Sequence, residues 1–249
     1  MAHPQVEQQA RRNAAIVALA AQQLDGVWPS IDWDAPQAVE AVKRFYRAVV
    51  SRYGQASAAV AAEFYDTFRA EREFAQRFRA APAEVLPQAL LDRTVEMAFV
   101  GTGRSGVDPN SGTTADLPVE QRVPLRLADK LQRHVRQPGR DTIAINTDAD
   151  PVKPLYVRVP RGATTCAFCV ILASREISKR FRGYVSDSVK YHNHCDCEAV
   201  PVFPGQSTAD VSPKFGDYED MYSKAVADAG TRRDLKKILA SMRHLYGVA

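Results

Sequence analysis

The chain has 249 residues, 45% apolar and 25% charged, the balance of a soluble protein with material for one large domain or two modest ones. No apolar run approaches the roughly 18 residues that span a bilayer. The formal net charge of +4 is too small by itself to name a nucleic-acid binder.

The N-terminal stretch MAHPQVEQQARRNAAIVALAAQQL alternates polar and apolar residues at helical spacing. It lacks the continuous apolar core and small-residue cleavage site of a signal peptide, so the expectation is a chain kept in a reducing cytoplasm. A first helix is predicted over 5–24. Pro29 interrupts it, and Asp34 before Pro36 reads as a cap and first turn. A second helix follows, with Val39, Val42, Phe45, Val49 and Tyr53 on one stripe. Beyond Gly54 the spacing of Val60, Phe64 and Phe68 predicts another helix. The next, about 84–100, is expected to start near Pro82 and to bury Leu86, Leu90, Val95 and Phe99.

Residues 101–118, GTGRSGVDPNSGTTADLP, read as a flexible linker. GTGRSG matches the letters of a dinucleotide fingerprint, but a helical pattern precedes it where the fingerprint needs a strand. A helix over 119–136 follows, with Leu127 and Leu131 inward and many arginines outward. GRDTIAINTDADP reads as a short helix or turn. Residues 155–160 and 198–203 have the composition of strands. The tail opens as a linker and ends in helices, the last basic, with Leu235, Ile238, Leu239 and Met242 on one face. The expected fold class is therefore α+β, mainly α. The expected division is a helical module over 1–100, a linker over 101–118, a module over 119–204, and a linker with C-terminal helices over 205–249.

All four cysteines fall between 166 and 197. Cys166 and Cys169 form a CxxC, a turn that directs two sulfurs to one point. His192, His194, Cys195 and Cys197 follow about twenty-five residues later. Zinc takes four tetrahedral ligands and prefers these donors, so the pattern reads as a structural zinc site. Cys166, Cys169 and Cys195 are expected to bind, with His192 or Cys197 completing the set. Reduced core thiols without metal and a disulfide formed outside the cell are the rival readings. A catalytic metal is disfavoured, because the ligands exceed what an open site uses and no well-placed carboxylate base accompanies them. Asp196 is expected to orient a ligand rather than act as a base. The chain has no HExxH and no GxSxG, and the HxE of zinc deaminases is also missing. A Cys169–His134 catalytic pair is a further rival, with His134 otherwise expected on a solvated helix face. Between the two ligand clusters, Arg175, Lys179, Arg180, Arg182 and Lys190 interleave with Phe181 and Tyr184, and could track a phosphate backbone or form a solvated surface.

VRVPRGATTCAFCVILASRE followed by YHNHCDCEAVPVF resembles the signature of the MuF-like minor head proteins of tailed phages. That pattern pairs CxxC with a distal HxxCxC near a proline and an apolar strand. The matching positions are Cys166, Cys169, His192, Cys195 and Cys197, with Val200-Pro201-Val202 after them. His194 stands where many members carry asparagine or another residue. AAEFYDTFRAE, 61–71, resembles a helical stretch of the versions from phages of actinobacteria. The resemblance covers most of 35–205 and is strongest over 155–203. It implies a structural minor capsid protein of the virion, synthesised in the host cytoplasm. It would sit in the head interior near the portal vertex and act in head assembly. The expected partners are the portal protein, the major capsid or scaffold protein and packaged DNA, with no membrane. The rival classes are a capsid maturation protease and a DNA-binding protein or nuclease with a structural zinc.

Overall fold

The computed structural model describes residues 3–100, 117–161, 165–174, 191, 193 and 195–248. In chain order these form α1 (Pro4–Asp25), α2 (Ala38–Ala70), α3 (Gln88–Phe99), α4 (Val119–Ala149), β1 (Leu155–Val159), α5 (Ala167–Ala173), β2 (Glu198–Val202), α6 (Thr208–Val211), α7 (Phe215–Ala229) and α8 (Leu235–Tyr246). The fold is α+β and mainly α. GTGRSG lies outside the described residues.

Two helices are longer than the sequence suggests. Gly54 does not divide α2, which runs unbroken for 33 residues, about 50 Å. The alanines after Gly54 favour helix enough to absorb the roughly 1 kcal/mol that a mid-helix glycine costs. Asp34 and Pro36 lie in the turns before it, and Gln37 caps it without a side-chain bond. Its buried stripe is Val42, Tyr46, Val49 and Val50, with Phe45 and Tyr53 half-buried. Likewise α4 continues past 136 and through Pro138 and Gly139 to Ala149.

Close packing explains both. A Cβ on Gly54 would lie 3.2 Å from Pro138 Cγ, and a Cβ on Gly139 would collide with the Ser57 side chain and sit 2.9 Å from its carbonyl oxygen. The pair that reads locally as a helix stop is therefore where α2 and α4 touch backbone to backbone. On one side of this crossing, Val42, Val49, Leu91, Val95, Val123, Leu127 and Leu131 join the end of α1 in one apolar cluster. On the other, Phe64, Tyr65 and Phe68 meet Ile143, Val157, Val200 and Phe203.

Residues 71–87 form a strap across α2 and α4 instead of the expected start of α3. Ala80 N donates to Asp66 Oδ1 (2.8 Å), Ala81 N to Asn146 Oδ1 (3.0 Å) and Ala83 N to Thr142 Oγ1 (2.9 Å). Asn146 Nδ2 returns a bond to Ala81 O at 2.8 Å. These side chains satisfy strap amides that a helix would otherwise take up. Leu90, expected inside, is 41% exposed on the outer face of α3. Where α2 and α4 end, fully buried Asp150 accepts from Arg69 Nε at 2.7 Å and from the Tyr65 hydroxyl at 3.1 Å. Burial first, then the Asp150 charge, pushes the Tyr65 hydroxyl upward.

β1 and β2 pair antiparallel, with Leu155 opposite Val202 and Val159 opposite Glu198. This register puts the start of β2 beside the end of β1, the same end from which the chain proceeds to α5. α5 is apolar and buried, packed through Val170 and Ile171 against Tyr218 and Ala225 of α7 and Ile238 and Met242 of α8. Leu235, predicted to share that face, is 45% exposed. Among the described residues no helix is long and apolar enough to cross a membrane.

His134 is not on a solvated face. It is 4% exposed, and its Nδ1 lies 2.9 Å from the Tyr46 hydroxyl. Burial first, then the charges of Arg133 and Lys130, pushes its pKa from 6.5 down to about 4. An unfolded chain binds a proton there that the fold excludes, so this contribution to stability is complete above pH 6.5 and disappears as the pH falls toward 4. The fall should amount to at most about 3 kcal/mol. Urea titrations across that window should show it, and His134→Gln should flatten it. Gly139→Ala should destabilise by about 2–3 kcal/mol, read as a lower urea midpoint, with Ser57→Ala restoring only part of the loss because the carbonyl clash remains.

Candidate metal centre

Three sulfurs converge where β1, α5 and β2 meet. Cys169 sits in the first turn of α5, and Cys195 and Cys197 immediately precede β2. Their Sγ atoms all lie within 4.8 Å of one another, and Cys169 and Cys195 are 3.6 Å apart. A tetrahedral zinc with bonds of about 2.3 Å holds its sulfurs about 3.8 Å apart, so this pair already has the edge length of a metal–thiolate site. All three residues are buried. They are positioned to bind a metal ion.

Cys166 packs against this cluster as the cap of α5, its Sγ accepting from Cys169 N at 3.3 Å. An N–H to sulfur bond across a CxxC fixes the turn and directs both side chains to one side. The described group thus contains Cys169, Cys195 and Cys197, with Cys166 adjoining it. His192 and His194 lie outside the described residues, as do Arg175, Lys179, Arg180, Arg182 and Lys190.

The sulfurs do not titrate alike. Hydrogen bonds from Cys169 and Cys197, helped by the Arg140 charge, pull Cys195 far down. Cys169 is driven upward by its bonds to Cys166, Cys195 and Cys197. A divalent ion would displace the thiol protons and let the sulfurs bind as thiolates.

Around the sulfurs stands a shell that the sequence reading missed. Arg136, among the arginines expected outward, and Arg140 beyond them are 5% and 4% exposed. Arg140 donates to Cys195 O (2.5 Å) and Cys197 O (3.1 Å), and Arg136 donates to Cys195 O (3.3 Å). The Tyr191 ring lies between two guanidiniums, Arg140 at 3.7 Å and Arg158 at 3.8 Å. Burial drives the Tyr191 hydroxyl upward, although both cations pull the other way. Arg136 also pairs with buried Glu198 at 2.9 Å, and Asn13 Nδ2 of α1 donates to the other Glu198 oxygen at 2.8 Å. Arg136 and Arg140 thus hold the cysteine-bearing turn through its carbonyls and, for Arg136, through Glu198. The spacing 132, 136, 140 on α4, one helix face, was the available signal.

Among the described residues, Asp196 is engaged with side chains of α4. Its side chain is half-exposed, accepts from Gln132 Nε2 at 2.7 Å and lies 3.5 Å from Arg136. The two acids flanking Cys197 should therefore behave differently. Glu198→Ala leaves Arg136 buried without its partner and should cost about 3 kcal/mol or more. Asp196→Asn should cost less than about 0.5 kcal/mol, because its pair is solvated. Urea unfolding of the two variants side by side measures the contrast.

No curated protein and no solved structure matches this chain. The family model described as VG15 protein matches residues 1–225, which includes the α2–α4 crossing, the sheet and every cysteine. The chain belongs to the VG15 protein family, whose designation marks a viral gene product of a phage.

Proposed function

We propose that this protein is a structural minor capsid protein of a tailed phage, held at the portal vertex inside the head and acting in head assembly rather than as an enzyme. The observation that carries this reading is the centre itself. Its sulfurs are buried, backbone-anchored and ringed by arginines that hold protein groups in place, the arrangement of a staple rather than of an open catalytic metal. The phage family supports the setting, and the MuF-like pattern of Cys166, Cys169, His192, Cys195 and Cys197 supports the narrower assignment. The metal would be zinc, held by Cys169, Cys195 and Cys197 with Cys166 or His192 as the fourth ligand. Bound there, it would supply cross-linking of α5 to β2, and with it the energy of folding this end of the molecule. Arg136 and Arg140 would orient the ligand-bearing turn by holding the Cys195 and Cys197 carbonyls. The portal protein is the principal partner, with the capsid or scaffold protein and packaged DNA beside it.

Protein purified without chelators should contain about one zinc per chain. Cys169→Ser and Cys195→Ser should lose it and unfold at lower temperature. Co-expression with the phage's portal protein should yield a complex that survives gel filtration. Metal-free protein of undiminished stability would remove the zinc. Cleavage of purified capsid protein by the isolated chain would replace the structural reading with the protease one.

A further inference from the structure

Charge is distributed unevenly along the chain. Residues 230–249 hold five lysines and arginines against one aspartate, leaving 28 basic and 28 acidic side chains in residues 1–229. The formal charge of +4 is therefore equal to that of the last twenty residues. Arg232, Arg233, Lys236, Lys237 and Arg243 are all exposed, and among the described residues none of them forms an ion pair. Two acids that adjoin α8 are engaged by hydrogen bonds of their own. Asp234 caps α8 by accepting from Lys237 N at 3.2 Å, and Asp228 accepts from the Ser241 hydroxyl.

From this we infer that the outward face of α8, with Arg232 and Arg233 leading into it, binds the phosphate backbone of duplex DNA without regard to sequence. Lys236, Ala240 and Arg243 recur at helical spacing with Lys237 and His244 beside them, opposite buried Ile238 and Met242. Lys236 and Arg243 are about 10 Å apart along the axis, a length over which duplex DNA presents about six phosphates. Small Ala240 between them lets the helix approach closely.

The packing of α8 favours this ligand over the two others that basic helices take. A helix that lies on a lipid surface must offer an apolar face, as must one that docks into a protein groove. Here that face is consumed by α5 and α7, with Met242 fully buried and Ile238 at 2% exposure. Partly exposed Leu235 and Leu245 lie only at the ends of the helix. What α8 presents across its middle is charge alone, and a charged rod is its complement. This inference rests on the proposed placement inside a DNA-filled head, but it concerns a surface separate from the candidate metal centre.

The test is fluorescence anisotropy of a labelled duplex of about 20 base pairs, titrated with the full chain over a range of salt concentrations. The unaltered protein should bind two unrelated duplexes alike, with log K falling steeply against log salt. The triple variant Lys236→Gln, Lys237→Gln, Arg243→Gln should lower the magnitude of that slope by about 2.7, and Lys236→Gln alone by about 0.9. Since these side chains are exposed, the melting temperature should not move, and the single variant serves if the triple one fails to fold. Equal binding by the variants would assign any DNA contact to another surface and overturn the inference. So would an unaltered chain that fails to bind at about 100 mM salt, or that prefers phosphatidylglycerol vesicles to DNA. Portal complex formation is scored separately. A portal complex intact alongside absent DNA binding sinks this inference alone, whereas DNA binding without any portal complex supports it and sinks only the portal assignment.

Discussion

Two guanidinium groups on one face of α4 set the constraint that the rest of this molecule satisfies. Arg136 and Arg140 are nearly withdrawn from water, and a buried cation is tolerated only where acceptors and opposite charge surround it. The acceptors are the carbonyls of Cys195 and Cys197, the counter-charge is Glu198 together with the ionisable sulfurs, and the face of Tyr191 takes one side of Arg140. To deliver these groups, the chain before β2 must run along α4 in one register. That register brings Cys195 and Cys197 to Cys169. The cysteine cluster and the ion-pair shell are thus one arrangement, built on the same turn before β2.

The same helix holds the framework on its other faces. Pro138 and Gly139 meet Gly54 and Ser57 of α2 at a crossing with no room for another carbon, and the apolar residues on either side of it form two clusters rather than one. Asn146 and Thr142 of α4 secure the strap, and Asp150 just beyond it secures Arg69. From α1, Asn13 reaches Glu198, so the first helix is tied to the cysteine-bearing strand through one carboxylate. Such connectivity fits a protein whose task is to keep a shape. A purely structural reading accounts for arginines that hold the Cys195 and Cys197 carbonyls and Glu198.

Around the C-terminal hairpin a different logic holds. α7 and α8 share their apolar faces with α5, one layer away from the sulfurs, so the cysteine cluster also underlies the hairpin. What the hairpin turns outward is charge: acidic residues including Asp217, Glu219 and Asp220 on α7, basic ones on α8. The metal-proximal layer would then hold the exposed cations of α8 in a fixed relation to the rest of the chain.

Periodicity and composition determined the helical character, the two strands, the inward Leu127 and Leu131 and the absence of a membrane-length apolar run, because each depends on residues close in sequence. The grouping of every cysteine into two short motifs made a candidate metal centre legible for the same reason: a CxxC turn is local chemistry. Tertiary structure alone decided the continuity of α2 and α4, since Gly54, Pro138 and Gly139 are helix breakers locally and contact residues in the fold. It also decided that Arg136, Arg140 and His134 point inward, that Leu90 and Leu235 point outward, and that 71–87 is a strap. Nothing within a few residues of an arginine indicates whether a carbonyl from sixty residues away will arrive to accept its hydrogen bond. The burial of a charge is settled by its distant partners, and a linear pattern can show only where such a charge is available.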